Sequence, residues 1–229
     1  MKFVKTEDLR IGLRLAKPIY NKKGVLLYER DSKITAQGIE SVKNFGLIGI
    51  YILEPAEPLP PMSEDDIEFE KFQAVEFFEI MDELKSIAKT NKHIKIYNVA
   101  QTIIKAYGRL EHKINFVQNL RSADDFIFKH SLNVAILCAM ISHRLNMRPT
   151  EQEELVVSAI VHAVGIVSKD ERVKPTVMPE DEELAKRMEY SGIAKIDAVF
   201  ISTPAIKRAV LQAFRETNAF YNNEDLSQH

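Results

Sequence analysis

Two histidines, His130 and His162, are the residues of this chain whose type and spacing could do chemistry. Imidazole is a good ligand for zinc, iron or nickel. Sites that activate water against phosphorus normally add carboxylates, which neutralise the cations and hold the bridge between them. The residue after His162 is Ala163, which offers no such group. Taken singly, a histidine in an apolar run reads as a hydrogen-bonded core residue; two that converge suggest a common purpose. Two imidazoles without an acid still make a weak metal site.

The elements that must bring them together can be read around each histidine. Asp124 or Asp125 can open a helix running to about Leu145. Leu132, Val134, Ala135, Ile136, Leu137, Cys138, Ala139, Met140 and Ile141 make that helix apolar nearly all round, which predicts a central position in its domain. Asn146-Met147-Arg148-Pro149 breaks it. Thr150 with Glu153 reads as a capping box for the next helix, which carries Leu155–Val161 and ends at Gly165. So short a connection makes the helices antiparallel neighbours. His130 lies 15 residues before Leu145, and His162 lies 12 residues after Thr150. At a rise of about 1.5 Å per residue the offset is only about 5 Å, so the rings meet if both face the seam.

The remainder divides in two. Residues 1–53 read as a small α+β module. Leu13–Tyr20 is strand-like, Asn21–Gly24 a turn and Val25–Tyr28 a short apolar run; Thr35 caps a helix through Phe45 that stops at Gly46, and Leu47–Leu53 is a second strand. Residues 54–63 are a linker, with four prolines between Glu54 and Pro61 that remove backbone donors and favour extended chain. Residues 64–229 read as all-α. Ser63 with Asp66 starts a helix whose stripe, Phe69, Phe72, Phe77, Ile80, Leu84 and Ile87, is core or, alternatively, a homodimer face over 64–90. Ile94–Leu120 continues the helical pattern. Glu180–Glu183 is an acidic helix start, and Thr203-Pro204 opens a final helix over Ala205–Ala219. Lys207, Arg208 and Arg215 read as its solvated face, with contact to an anionic ligand as the alternative. His93, His112 and His143 read as surface or packing residues.

Composition narrows the function class. The 229 residues are 45% hydrophobic and 28% charged, with net charge -2. No global basic field recruits DNA or an anionic membrane. The single cysteine, Cys138, excludes an internal disulfide and fits a reducing cytoplasm. The N-terminus carries acids early and does not read as a signal peptide, and no stretch reaches 18 apolar residues, so no membrane span is expected.

The segments around the two histidines also carry a resemblance. Asp124-Asp125-Phe126-Ile127-Phe128-Lys129-His130-Ser131-Leu132-Asn133-Val134-Ala135 resembles the first ligand segment of the HD-GYP subgroup of HD-domain phosphohydrolases. Ala159-Ile160-Val161-His162-Ala163-Val164-Gly165-Ile166 is similar to the segment that normally reads His-Asp-Ile-Gly-Lys. The likeness spans roughly 95–220, and residues 1–53 resemble a small module that often precedes such domains in bacterial signalling proteins. It implies an HD-like helical bundle. Active members bind two or three ions, iron or manganese, and hydrolyse cyclic di-GMP.

This chain departs from the family at most catalytic positions. Ala163 replaces the aspartate and Ile166 the lysine. No histidine falls near Met188–Tyr190. Gln212-Ala213-Phe214-Arg215-Glu216 stands where His-His-Glu is expected, and Ala219-Phe220-Tyr221-Asn222 where Gly-Tyr-Pro is expected. The chain reaches His229 before the helix with the family's last aspartate, and so reads as truncated. The resulting expectation is a domain with no catalytic residue, Ala163 and Ile166 being vestigial positions. His130 and His162 would form a weak or empty metal site, and no cofactor is expected; iron or manganese is the metal if one binds. The expected role is regulation or protein interaction in cyclic-dinucleotide signalling, with a protein partner and a cyclic dinucleotide as candidate ligand. The alternative is a metal-dependent phosphohydrolase that completes its ligand set with Asp124, Asp125 or Asp170.

Overall fold

The computed structural model describes residues 1–21, 23–45, 47, 49–59, 61–111, 126–167 and 182–221; for 126, 182–189 and 217–221 it describes the backbone alone. Among these residues the chain is mainly helical, with a small antiparallel sheet. Residues 1–79 with 126–129 form one compact unit, and 80–111 with 130–221 form another.

The first unit begins with strand β1 (Lys2–Lys5) and a 3-10 turn (Thr6–Asp8). The predicted strand Leu13–Tyr20 is two short ones, β2 (Arg14–Leu15) and β3 (Ile19–Tyr20). Between them lie the buried Lys17 and Pro18, whose ring removes a ladder donor. β4 (Leu26–Tyr28) pairs antiparallel with β3 across the predicted turn, where Gly24 donates to the Asn21 carbonyl at 3.0 Å. Gly24 has φ +72°, a left-handed conformation open to glycine. Helix α1 (Ala36–Asn44) starts as expected, with Thr35 Oγ1 accepting from the Gly38 N–H at 3.0 Å. β5 (Gly49–Leu53) lies between β1 and β2, antiparallel to both. Leu15, Ile34, Val42, Ile50 and Ile52 form the core of this module.

Helix α2 (Glu64–Thr90) starts on a reciprocal cap. Ser63 N–H donates to Asp66 Oδ2 at 3.0 Å, and the Asp66 N–H donates back to Ser63 Oγ at 3.1 Å. Its first part, in this unit, buries Phe69 and Phe77, and also buries Glu70, Gln73 and Glu76. Glu70 is ion-paired with the buried Lys17. Burial pushes the Glu70 carboxyl above its ordinary range, against the opposing pull of Lys17. Buried Lys129 lies over the Phe77 ring, 5.9 Å from its centroid.

In the second unit, the remainder of α2 buries Ile80, Leu84 and Ile87. Glu83, also buried, accepts from the backbone N–H groups of Ile94 and Lys95, just before helix α3 (Ile96–Tyr107). The carboxylate thus satisfies donors that would otherwise be orphaned near a helix start. The predicted continuation to Leu120 stops at α3's end, with Gly108 as its C-cap; 112–120 lie outside the described residues. Helices α4 (Phe126–Arg144), α5 (Pro149–Val161), α6 (Glu182–Val199) and α7 (Pro204–Tyr221) follow. α5 packs against α3 and α7, and α6 against α7. The Thr203-Pro204 start of α7 is as expected. Lys207, read as solvated, pairs with Asp197 at 2.8 Å. His93 stacks on Phe200 with centroids 5.8 Å apart, a packing role.

Candidate functional site

The site rests on the α4–α5 hairpin. α4 ends in a Schellman motif: the Met147 N–H donates to the Ser142 carbonyl and the Asn146 N–H to the His143 carbonyl. Asn146 takes the left-handed position at φ +54°, which asparagine tolerates better than most residues. The predicted Thr150–Glu153 capping box is not the one formed. Pro149 occupies the first helical position, where its missing N–H costs nothing, so α5 starts two residues earlier. Glu151 Oε2 accepts from the Arg148 N–H at 3.1 Å. Arginine has no acceptor, so this cap works in one direction only.

Two contacts show the hairpin's register. Near the loop, Gln152 Nε2 donates to Ser142 Oγ at 3.0 Å. At the far end, the His130 and His162 rings lie 5.2 Å apart, edge to face at 67°. Pairs 142–152 and 130–162 have nearly the same sum, as an antiparallel alignment requires. The convergence expected from residue counting is present.

Each imidazole has its own surroundings. His162 follows α5 as its C-cap and is half-buried. Its Nδ1 lies 2.7 Å from the Ala159 carbonyl. A carbonyl only accepts, so Nδ1 carries the hydrogen and Nε2 holds the lone pair of the neutral ring. Burial lowers the pKa of His162; the Ala159 carbonyl opposes that, and nearby His130 adds to it. His130 is exposed over part of its surface, yet packing about its ring still lowers its pKa. Both rings are thus held toward the neutral form, which coordinates metals and accepts hydrogen bonds.

Ala163 is buried, and Ile166 is half-buried. They lie on a run of tight turns after α5, in which Val164, Ile166 and Val167 each donate to the carbonyl three residues earlier. Gly165, expected to end α5, has a different role, because the helix stops at Val161. A Cβ on Gly192 of α6 would meet the Gly165 N at 3.0 Å and its Cα at 3.1 Å. Glycine at 192 lets α6 approach the backbone of this turn.

Among the described residues, no group of three or more His, Cys, Asp or Glu side chains converges to hold a metal. The described donors are two imidazoles and no carboxylate, too few for the two-ion centre that the family resemblance implies. Asp124, Asp125 and Asp170, the candidates for a shifted ligand set, lie outside the described residues, as does His112. Tyr190 is exposed, and Gln212 donates to Glu216 at 2.6 Å on α7.

Two polar groups beside His130 escape a reading based on histidines and acids. Ser131 Oγ and Asn133 Oδ1 are buried atoms without a hydrogen-bond partner among the described residues. Buried polar atoms are usually satisfied, so exceptions beside a candidate site mark where a ligand could bind. Their signal in the sequence is the His-Ser-x-Asn pattern itself.

No protein-family model matches the chain, and no solved structure matches it. Among curated proteins it is similar to Ribonuclease Y of Clostridium novyi (strain NT), at 25% identity over 141 residues. The match covers 52% of this chain and 26% of that protein. The chain therefore spans about a quarter of the length of the curated relative it matches. No helix among the described residues is long and apolar enough to cross a membrane.

Proposed function

We propose that this chain is an HD-GYP-like, HD-domain-type protein that has lost hydrolysis and acts as a regulatory or protein-interaction module in bacterial, cyclic-dinucleotide-related signalling. One observation carries the reading: His130 and His162 meet at 5.2 Å, as metal ligands would, while the adjoining position is the buried methyl of Ala163. An apolar wall raises the cost of burying the charge of a metal or a phosphate. The framework is kept and the acid is missing. The test is metal content after purification without chelator, with a cyclic di-GMP hydrolysis assay and calorimetry on the same sample. Near-zero metal and no turnover are expected; heat on titration with the nucleotide would make the module a sensor. Two equivalents of iron or manganese with turnover would overturn the reading.

A second reading is a metal-dependent phosphohydrolase with a shifted ligand set. It is favoured by the fixed tautomer of His162, which leaves Nε2 as donor, and by a relative named as a ribonuclease, an activity that also breaks phosphodiester bonds. Under this reading His130→Ala loses metal and activity together.

A further inference from the structure

Outside the histidine site, two helices depart from what their patterns predict. On α4, expected to be central, Leu137, Ile141 and Leu145 are exposed. An apolar stripe alone does not say what covers it. On α2 the departure is internal and carries more. Glu70, Gln73 and Glu76 recur at steps of three along one face, and all three are buried.

Gln73 is the sharpest case. It is 1% exposed, and neither its Nε2 nor its Oε1 has a hydrogen-bond partner among the described residues. A primary amide can donate twice and accept twice. Buried atoms of this kind are usually satisfied, by protein or by ordered water. Phe69, Phe77 and Ile80 are buried on the same helix, so apolar side chains are accepted nearby.

The surroundings define what can satisfy the amide. Glu70 lies one turn back, which puts the two Cβ atoms about 5–6 Å apart. Its Oε1 accepts from the Lys17 ammonium. A carboxylate has a second oxygen and further lone pairs, so acceptor capacity is left. Charge is already balanced: Lys17 and Lys129 stand against Glu70 and Glu76, all buried in the first unit. Lys129 as well as Lys17 acts on the Glu70 carboxylate. A bound ion of either sign would be buried without compensation. The occupant that fits is neutral and small, and it both donates and accepts.

We propose that a buried water bridges Gln73 to Glu70. It accepts from Gln73 Nε2, donates to Gln73 Oε1 and donates its other hydrogen to Glu70 Oε2. Three hydrogen bonds are the usual complement of a buried water. The Lys17–Glu70 pair is thereby extended by one turn of α2, from ammonium to carboxylate to water to amide. The inference stands whether or not the histidine site hydrolyses.

The test is made on the full chain, labelled with nitrogen-15. The Gln73 side-chain NH2 signals are assigned through their backbone connectivities, so the wild-type chain decides by itself. The expected result is a cross-peak from that NH2 to water whose sign in the rotating frame marks dipolar contact rather than hydrogen exchange. Gln73→Met, close in volume, removes the bonds to the water and should lower the urea midpoint. An NH2 with no dipolar cross-peak to water overturns the proposal. So does a higher urea midpoint in Gln73→Met, the mark of a dry amide whose removal relieves an unsatisfied group.

Discussion

The buried cluster around Lys17 and Glu70 and the seam between His130 and His162 treat charge in opposite ways. In the first, an ammonium and a carboxylate are both withdrawn from water and paired, with Glu76, Lys129 and the amide of Gln73 buried in the same unit. In the second, two imidazoles are brought together and held neutral, and the adjoining position is a methyl group. Ionised groups are paired where they join pieces of the fold, and among the described residues no carboxylate joins the two imidazoles.

The comparison is broken most strongly by removing one side of the buried pair. Glu70→Leu leaves Lys17 without its carboxylate and should cost about 3–5 kcal/mol, read from urea denaturation. The double variant Lys17→Met, Glu70→Leu should recover most of that; if it does not, the pair is not the source of the loss. The seam is probed the other way, by adding charge. Ala163→Asp should destabilise the chelated protein by about 1–3 kcal/mol, and manganese should return part of it if the missing acid is the main defect. A variant indifferent to manganese would show that an acid at position 163 does not complete a metal site. Smaller still is the Thr35 cap, far from either cluster in sequence. Thr35→Ala should cost about 1 kcal/mol, with faster amide exchange in the first turn of α1 as its mark.

The last effect is a slope. The pKa of His162 is lower in the fold than its ordinary 6.5, chiefly through burial. Below that value the unfolded chain binds the proton more readily than the folded one. The associated stability is therefore present above 6.5 and is lost as pH falls toward the lowered folded value. Urea midpoints measured in chelator from about pH 7.5 to about pH 5.5 should fall, and His162→Gln should flatten the curve. An unchanged slope would assign it to other groups, His130 first.

Much of this arrangement is legible in the residues. The count of residues from the loop to each histidine is enough to bring the rings together, because helical rise is constant and the connection is short. Caps such as Thr35 and Ser63 with Asp66 are local chemistry and read directly. Pattern reading fails where tertiary context decides. It takes Phe72 as core and passes over Gln73 and Glu76, although Phe72 is half-buried and the two polar residues are buried. Charged and amide groups are assigned to solvent by default; Glu70 is buried with a partner from a distant segment, Lys17, whereas the Gln73 amide is buried without a hydrogen-bond partner among the described residues. On α4 the reverse happens: a run apolar all round carries no signal for which stripe the rest of the chain leaves open.

The meeting of Gly165 and Gly192 has a mechanical meaning. Where most helices touch through side chains that can change rotamer, here backbone lies against backbone with no compliant layer between. A sub-ångström shift of α6 has nothing to absorb it and passes directly into the turn that carries Ala163 and Ile166. A methyl gained at Gly192 must therefore be met by retreat of α6 from this turn, so α6 is gauged against the segment that carries Ala163 by the small size of one residue.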